Sequence, residues 1–154
     1  TKDGNQYEVS LQGNVALVTG AGSGIGEATA RLLAVNGVRV IVSDVHADAA
    51  QRVVAAITAS GGQAVAHVGD VALPEVAEAG VRCAQRHFGS LNLAFNNAGI
   101  GGSLQPSADL AAEDWQRVIA INLSGVQYGL RHQIPAMLEA GGGAIVNMSS
   151  ILGL

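Results

Sequence analysis

Cysteine, lysine and aromatic residues are all scarce in this sequence. The chain of 154 residues has one cysteine, Cys83, so no internal disulfide can form. We expect its thiol to be a buried structural group rather than a nucleophile. Only 3% of the residues are aromatic, so the core must consist mainly of valine, leucine, isoleucine and alanine. One lysine, Lys2, and a net charge of −4 leave no basic cluster, which argues against nucleic acid or an anionic membrane as a partner.

Long hydrophobic runs and metal-ligand spacings are also lacking. No apolar run is long enough to cross a bilayer, and we expect neither a signal peptide nor a membrane partner. With the single cysteine, this favours a reducing, cytoplasmic location. The histidines share no metal-like spacing, so we predict no metal site. They are His46, His67, His87 and His132.

Glycine is abundant instead, at 21 residues, and one glycine-rich run carries most of the information. The run Thr19-Gly20-Ala21-Gly22-Ser23-Gly24-Ile25-Gly26 follows an apolar segment, Val15 to Val18, and opens a helical pattern. Gly20 permits a tight turn, Gly24 lets the backbone approach a pyrophosphate, and Gly26 lets the helix lie close to the sheet. The helix start offers free N–H groups to phosphates. The run therefore predicts a dinucleotide site, the alternative being a glycine-rich loop without a ligand.

The rest of the chain alternates short apolar segments with helical periodicity. We predict strands at about 14–18, 38–43, 64–68, 91–95 and 144–148, separated by four helices. This order is typical of an α/β fold, a Rossmann-like doubly wound parallel sheet with strand order 3-2-1-4-5. Ligand should lie over the carboxyl ends of strands one and four, where the order reverses. Residues 1–10 are interpreted as a polar tail and residues 11–154 as an NAD-binding domain that lacks its later strands.

Two of the predicted helices carry apolar stripes that indicate which face should pack. The first spans about 24–36, and its stripe consists of Ile25, Ala28, Thr29, Leu32 and Leu33. The second is one long helix at about 112–138, with Trp115, Val118, Ile119, Asn122, Val126 and Leu130 on one face. A buried Asn122 would need hydrogen-bond partners, and its own helix backbone is one candidate. A satisfied core asparagine without further function is the alternative.

Asp44 ends the second strand and indicates which dinucleotide is bound. An acidic side chain there can accept hydrogen bonds from an adenosine ribose and repels a 2′-phosphate. No arginine or lysine lies in the glycine run or directly after Asp44. We therefore predict NAD rather than NADP, the alternative being a surface aspartate that begins a loop.

Further polar residues end the other strands at the same expected edge. Asp70 follows strand three, and the segment Asn96-Asn97-Ala98-Gly99 ends strand four. Ser149 and Ser150 follow strand five, where a hydroxyl can donate to a carbonyl oxygen. By chemistry alone, each of these is also compatible with a simple polar turn.

Together these residues resemble the short-chain dehydrogenase/reductase family. Its T-G-x-x-x-G-x-G loop matches Thr19 to Gly26, and Gly143 to Ser150 matches a G-x-I-V-N-x-S-S stretch. The other matching motifs lie between these two, in the family's order. They are Asp70, the segment Asn96 to Gly99, and Asn122.

The resemblance implies hydride transfer between NAD and a secondary alcohol or ketone. Ser150 would polarise the substrate oxygen, and Asn122 would hold a proton-relay water. Asp70 and Val71 would hold adenine, while Asn97 would line the cofactor groove. The full set of expected cofactor-binding residues is Gly20, Ser23, Gly24, Ile25, Gly26, Asp44, Asp70, Val71, Asn97, Ala98 and Gly99.

One departure from the family pattern concerns proton transfer. In the family, a tyrosine and a lysine follow the serine, whereas this sequence ends at Leu154 and has neither after Ser150. We therefore expect this chain to be the N-terminal part of an enzyme and to be inactive alone. The complete protein should form a homo-oligomer, a dimer or a tetramer. The alternatives are a non-catalytic NAD-binding module and a nucleotide-binding fold with another cofactor, such as a methyltransferase.

Overall fold

The computed structural model describes residues 10–150, a layer of helices on each face of one sheet. The predicted tail lies almost wholly outside this range, as do the last four residues of the predicted domain. The strands are β1 (Val15–Thr19), β2 (Arg39–Asp44), β3 (Ala64–Val68), β4 (Leu93–Asn96) and β5 (Ala144–Asn147). The helices are α1 (Gly24–Val35), α2 (Ala47–Ala59), α3 (Pro74–Phe88), α4 (Ala112–Ile119) and α5 (Gly125–Glu139). A π-helical turn, Ala120–Ser124, joins α4 to α5.

The sheet is parallel throughout and has the predicted order, β3-β2-β1-β4-β5. In the register, Val18 of β1 lies between Val42 of β2 and Phe95 of β4. The order reverses on either side of β1, so a crevice opens where the loops after β1 and β4 diverge. The predicted fold class is confirmed.

Successive residues of each strand point to opposite faces of the sheet and pack into two hydrophobic clusters, one on each face. On one face, Val18 and Val42 pack with Ala30 of α1 and Val53 of α2. On the other face, Leu17, Ile41, Val81 of α3 and Met137 of α5 form the second cluster. Strands of a parallel sheet are covered on both sides, which is why both kinds of position are apolar.

Cys83 lies beside the second cluster and is only partly buried, so the expected burial of its thiol is met in part. Burial raises the pKa of this thiol, which keeps it protonated near neutral pH. This is consistent with a packing role rather than a nucleophilic one.

The face of α1 that packs on the sheet is not the apolar stripe that the sequence predicted. The buried residues are Gly26, Ala30 and Ala34, whereas Ile25 and Leu32 are 61% and 64% exposed. Small residues at a spacing of four let the helix axis approach the sheet closely. The stripe prediction was wrong for Ile25, Ala28 and Leu32, which are exposed, whereas Thr29 is half-buried and the half-buried Leu33 packs beside the first cluster.

The predicted long helix is interrupted. The π-helical turn inserts an extra residue and rotates α4 relative to α5. Trp115 is 58% exposed, and the expected burial of Asn122 is not met, because that residue is exposed. The other residues of the predicted stripe are half-buried, namely Val118, Ile119, Val126 and Leu130. The side chains that α5 buries include Gln133, Ala136 and Met137. Within residues 10–150, no helix has both the length and the apolar character needed to cross a bilayer.

Candidate functional site

A groove opens at the carboxyl edge of the sheet, at the predicted crevice between β1 and β4. Its volume is about 610 Å³, and it is open to solvent. Every predicted cofactor residue except Gly26 lines it, and Val45, His46, Gly69, Ile100, Arg117 and Ile121 line it as well. The motif residues thus come together from the ends of four strands.

The glycine loop is built so that a side chain would not fit at two of its positions. Gly20 has φ +62°, and a Cβ there would lie 2.9 Å from the Cα of Ala98. A Cβ on Gly26 would collide with the Gly20 carbonyl oxygen and lie 2.7 Å from Nδ2 of Asn97. Gly26 therefore shapes the loop from behind rather than lining the groove.

The N-terminus of α1 faces the groove. The Glu27 N–H makes the first helical bond, to the Ser23 carbonyl, at 3.0 Å. The N–H groups of Gly24, Ile25 and Gly26 precede it and have no helical acceptor, as at any helix start. With the positive end of the helix dipole, they form a site suited to a pyrophosphate.

Thr19 and Asn97 fasten the glycine loop to the end of β4. The Asn97 side-chain amide donates to the Thr19 carbonyl at 3.0 Å and to the Gly20 carbonyl at 3.3 Å. In return, Oγ1 of Thr19 accepts the N–H groups of Asn97 and Ala98 at 3.0 and 3.1 Å. Asn97 thus sets the shape of the groove as well as lining it. Thr19 was missed as a site residue, although it heads the glycine motif.

Asp44 lies at the end of β2 with its carboxylate at the groove. Oδ2 accepts the Gly22 N–H at 2.8 Å, and Oδ1 accepts the His46 N–H at 2.9 Å. Each oxygen keeps a further lone pair for another donor. The two backbone bonds fix the orientation of the carboxylate at the edge of the groove.

Asp70 lies across the same groove from the glycine loop. Its carboxylate accepts the Ala72 N–H at 3.0 Å and an Nη2–H of Arg117 at 2.8 Å. The Ala72 bond, followed by Arg117, holds the pKa of Asp70 below its usual range. Arg117 could not be predicted as a site residue, because its partner Asp70 lies on a distant segment that only the fold brings close.

Asn122 lies in the π-helical turn and binds a neighbouring loop. Its Oδ1 accepts the Ile100 N–H at 2.9 Å, and its Nδ2 donates to the Ile100 carbonyl at 2.8 Å. The partner is therefore the loop after β4, not the helix backbone that the sequence suggested. Ser150 is exposed and follows β5 at the same edge of the sheet, but it does not line the groove formed by the described residues.

A network of side-chain amides holds the end of β4. Asn96 and Gln133 exchange two hydrogen bonds of 3.0 and 2.8 Å, and Asn96 also donates to Oδ1 of Asn147 at 2.8 Å. The network joins the buried Asn96 and Gln133 of β4 and α5 to the exposed Asn147 of β5, and the buried pair of mutual hydrogen bonds gives rigidity. Sequence reasoning did not single out Gln133 or Asn147. Within residues 10–150, no three histidine, cysteine or acidic side chains form a group that could hold a metal ion.

Comparison with known proteins assigns the family. The family model described as short chain dehydrogenase matches residues 14–154. The chain belongs to the short-chain dehydrogenase/reductase family. This family consists of oxidoreductases, and its Rossmann fold binds a nicotinamide cofactor.

Individual relatives agree with this assignment. The chain is 54% identical over 140 residues to a cyclohexanol dehydrogenase of Acinetobacter sp. (strain SE19), covering 91% of this chain and 56% of the relative. It is 45% identical over 139 residues to a cis-4-hydroxycyclohexanecarboxylate dehydrogenase of Sinomonas cyclohexanicum, covering 90% and 55%. The crystal structure of an NAD⁺-bound xylitol dehydrogenase superposes with a TM-score of 0.90 at 35% identity, covering 94% and 56%. The chain thus spans little more than half the length of these relatives.

Proposed function

We propose that this chain forms the NAD-binding part of a dehydrogenase that interconverts a secondary alcohol and a ketone. The observation that carries the proposal is the Asp44 carboxylate, fixed at the groove by two backbone N–H groups. A carboxylate in this place accepts hydroxyls of an unmodified adenosine ribose and repels a 2′-phosphate. The cation that lines the groove, Arg117, is already paired with Asp70.

The residues present fit a nicotinamide dinucleotide, since Gly20, Gly24 and Asp44 line one groove and the space beside Gly24 is open where a side chain would stand. The N–H groups at the start of α1 would bind the pyrophosphate, and Asp44 would bind the adenosine ribose. Asp70 and Val71 would border the adenine. When bound, the nicotinamide ring supplies the hydride chemistry.

Two further residues are assigned roles toward the substrate. Ser150 would donate a hydrogen bond to the substrate oxygen, which would polarise a carbonyl. Asn122 holds the loop at Ile100 by two hydrogen bonds, and we propose that a proton-relay water binds beside it.

The names of the relatives favour a substrate class. Two of them, at 54% and 45% identity, are named for alcohols on a six-membered ring. We therefore propose a small alicyclic secondary alcohol, or the matching ketone, as substrate. For the complete protein we propose a homo-oligomer, a dimer or a tetramer, in the cytoplasm, the latter supported by the single cysteine.

The test is a fluorescence titration of the chain with NADH and with NADPH. We expect NADH to bind at least about tenfold more tightly, a difference of about 1.4 kcal/mol. Asp44→Ala should reduce the difference between the NADH and NADPH affinities. A second change, Val45→Arg, should shift the preference toward NADPH. Asp48→Ala is the matched control, because Asp48 lies in the first turn of α2 without lining the groove. NADPH binding as tight as NADH binding by the unmodified chain would overturn the NAD assignment.

A further inference from the structure

An arginine from α2 lies directly behind the glycine loop. Nη2 of Arg52 donates to the Gly22 carbonyl at 2.7 Å. The same guanidinium donates to both carboxylate oxygens of Glu27 on α1, at 2.9 and 2.8 Å. Arg31 adds two bonds to Glu27, at 2.9 and 2.7 Å. The hydrogen bonds from Arg52, then those from Arg31, lower the pKa of Glu27 to about 2, so the carboxyl is charged at neutral pH.

Gly22 connects this ion pair to the ribose end of the groove. Its carbonyl accepts from Arg52, and its N–H donates to Asp44. A Cβ on Gly22 would lie 2.8 Å from the Asp44 carboxyl carbon, so the loop backbone touches that carboxylate closely. The Arg52 cation and the Asp44 anion are therefore separated by the backbone of a single glycine. No arginine or lysine directly follows Asp44 in the sequence, but the fold brings Arg52 of α2 close to it.

Arg52 could in principle attract the 2′-phosphate that Asp44 repels. Its side chain is 54% exposed, yet it does not line the groove, because three hydrogen bonds hold it to Glu27 and Gly22. A bidentate salt bridge between a guanidinium and a carboxylate is directional, and it is stronger than a hydrogen bond between neutral groups. Moving Arg52 toward a phosphate would break this arrangement and leave Glu27 with Arg31 alone.

We infer that Glu27 is a positioning residue for cofactor selectivity, which it enforces by holding Arg52 against the Gly22 carbonyl and away from a 2′-phosphate. The inference rests on the proposed function, since it assumes that the adenosine ribose lies at Asp44. In this arrangement the selectivity has two parts, the repulsion of a 2′-phosphate by Asp44 and the immobilisation of the nearby Arg52 cation, which could offset that repulsion. Removing the charge of Glu27 should free Arg52 without changing the shape of the side chain.

The experiment compares 5′-ADP and 2′,5′-ADP as probes, measured by calorimetric titration of the 154-residue chain. The background is Asp44→Ala, in which the direct repulsion is gone. Adding Glu27→Gln should raise the affinity for 2′,5′-ADP relative to 5′-ADP about tenfold, or about 1.4 kcal/mol. Adding Arg52→Gln to that double variant should abolish the gain. The ratio is taken on one sample, so a partly unfolded fraction cancels.

Two controls separate selectivity from a general loss of structure. Glu27→Asp keeps the charge and should keep the original ratio. Glu78→Gln removes a carboxylate from a comparable ion pair with Arg82 on α3, away from the groove, and should leave the ratio unchanged. The inference is overturned if Glu27→Gln leaves the ratio of the 2′,5′-ADP and 5′-ADP affinities unchanged, or if the gain in 2′,5′-ADP affinity persists in the Arg52→Gln variant. Either result leaves the proposed function standing. Failure of the unmodified chain to bind 5′-ADP overturns the proposed function and the inference together.

Discussion

Replacing Gly26 by alanine should damage both the fold and the cofactor groove. Gly26 is buried in the first turns of α1, directly behind the loop that forms the groove. The added Cβ would meet the Gly20 carbonyl oxygen and would lie 2.7 Å from Nδ2 of Asn97. Neither atom can move freely, because Asn97 also bonds to the Thr19 carbonyl and forms part of the link between β1 and β4. The loop must therefore shift.

The magnitude follows from two opposing effects. Alanine is the better helix former by at most about 1 kcal/mol. Overpacking of a site that cannot relax costs about 1–3 kcal/mol. We therefore expect a net loss in the free energy of unfolding of up to about 2 kcal/mol. Displacement of the loop should also weaken NADH binding by at least about tenfold, because one hydrogen bond to the charged pyrophosphate is worth about 1.5–3 kcal/mol.

Gly80→Ala is the matched control, because Gly80 is also a buried helical glycine. A Cβ there would meet His67 and Leu17 at 3.4 Å, an ordinary contact distance. This variant should be unchanged or more stable by up to about 1 kcal/mol and should bind NADH normally. Urea unfolding and NADH titration of both variants provide the measurements. If Gly26→Ala matched Gly80→Ala in stability and kept its affinity for NADH, the close-packing argument would be refuted.

Three further predictions concern charge, association and turnover. Because the folded state lowers the pKa of Glu27 to about 2, its contribution to stability should be full above pH 4.5 and lost toward pH 2. Urea unfolding at several pH values should then show the difference between the unmodified chain and Glu27→Gln shrinking with acid, and a constant difference would contradict this. Val146 is 60% exposed on β5, which among the described strands pairs only with β4, so Val146→Lys should reduce self-association in light scattering. A strictly monomeric unmodified chain would exclude that association. The 154-residue chain should bind NAD⁺ yet form no NADH from alcohols, because the tyrosine and lysine that the family resemblance assigns to proton transfer do not follow Ser150, and proton transfer is worth about 10²–10⁴ in rate. NADH formation at an ordinary rate would contradict this.

The sheet order and the glycine loop could be predicted because their signals are local. A strand, a glycine run and a helix adjacent in sequence define one unit, and repetition of that unit fixes a parallel sheet. Asp44 could be found for the same reason, since the end of a strand places its residue at the ligand edge. The bounds of β3 coincide with the prediction, and those of the other strands shift by one or two residues.

The errors arose where packing depends on size or on helix phase. In α1, hydrophobicity selected Ile25 and Leu32, but the buried face is formed by Gly26, Ala30 and Ala34. For Asn122, an uninterrupted helix predicted burial, but the residue lies in a π-helical turn and is exposed. A turn of that kind leaves no distinctive mark in a single sequence.

The ion pairs of the site were missed because they join distant segments. Arg117 meets Asp70, and Arg52 meets Glu27, only after the strands and helices have assembled. Each arginine resembles an ordinary surface residue when read in sequence. The motifs thus predict the backbone of the site, whereas only the structure shows which charged side chains pair around the groove.

A crystal structure of the chain with NAD⁺ would show whether the groove holds the cofactor. We predict the pyrophosphate at the N-terminus of α1, over Gly24 and Ile25, and the adenosine ribose hydroxyls on the Asp44 carboxylate. The adenine should lie beside Asp70. A dinucleotide bound away from this groove, or a groove that stays empty at saturating NAD⁺, would contradict the proposed NAD site.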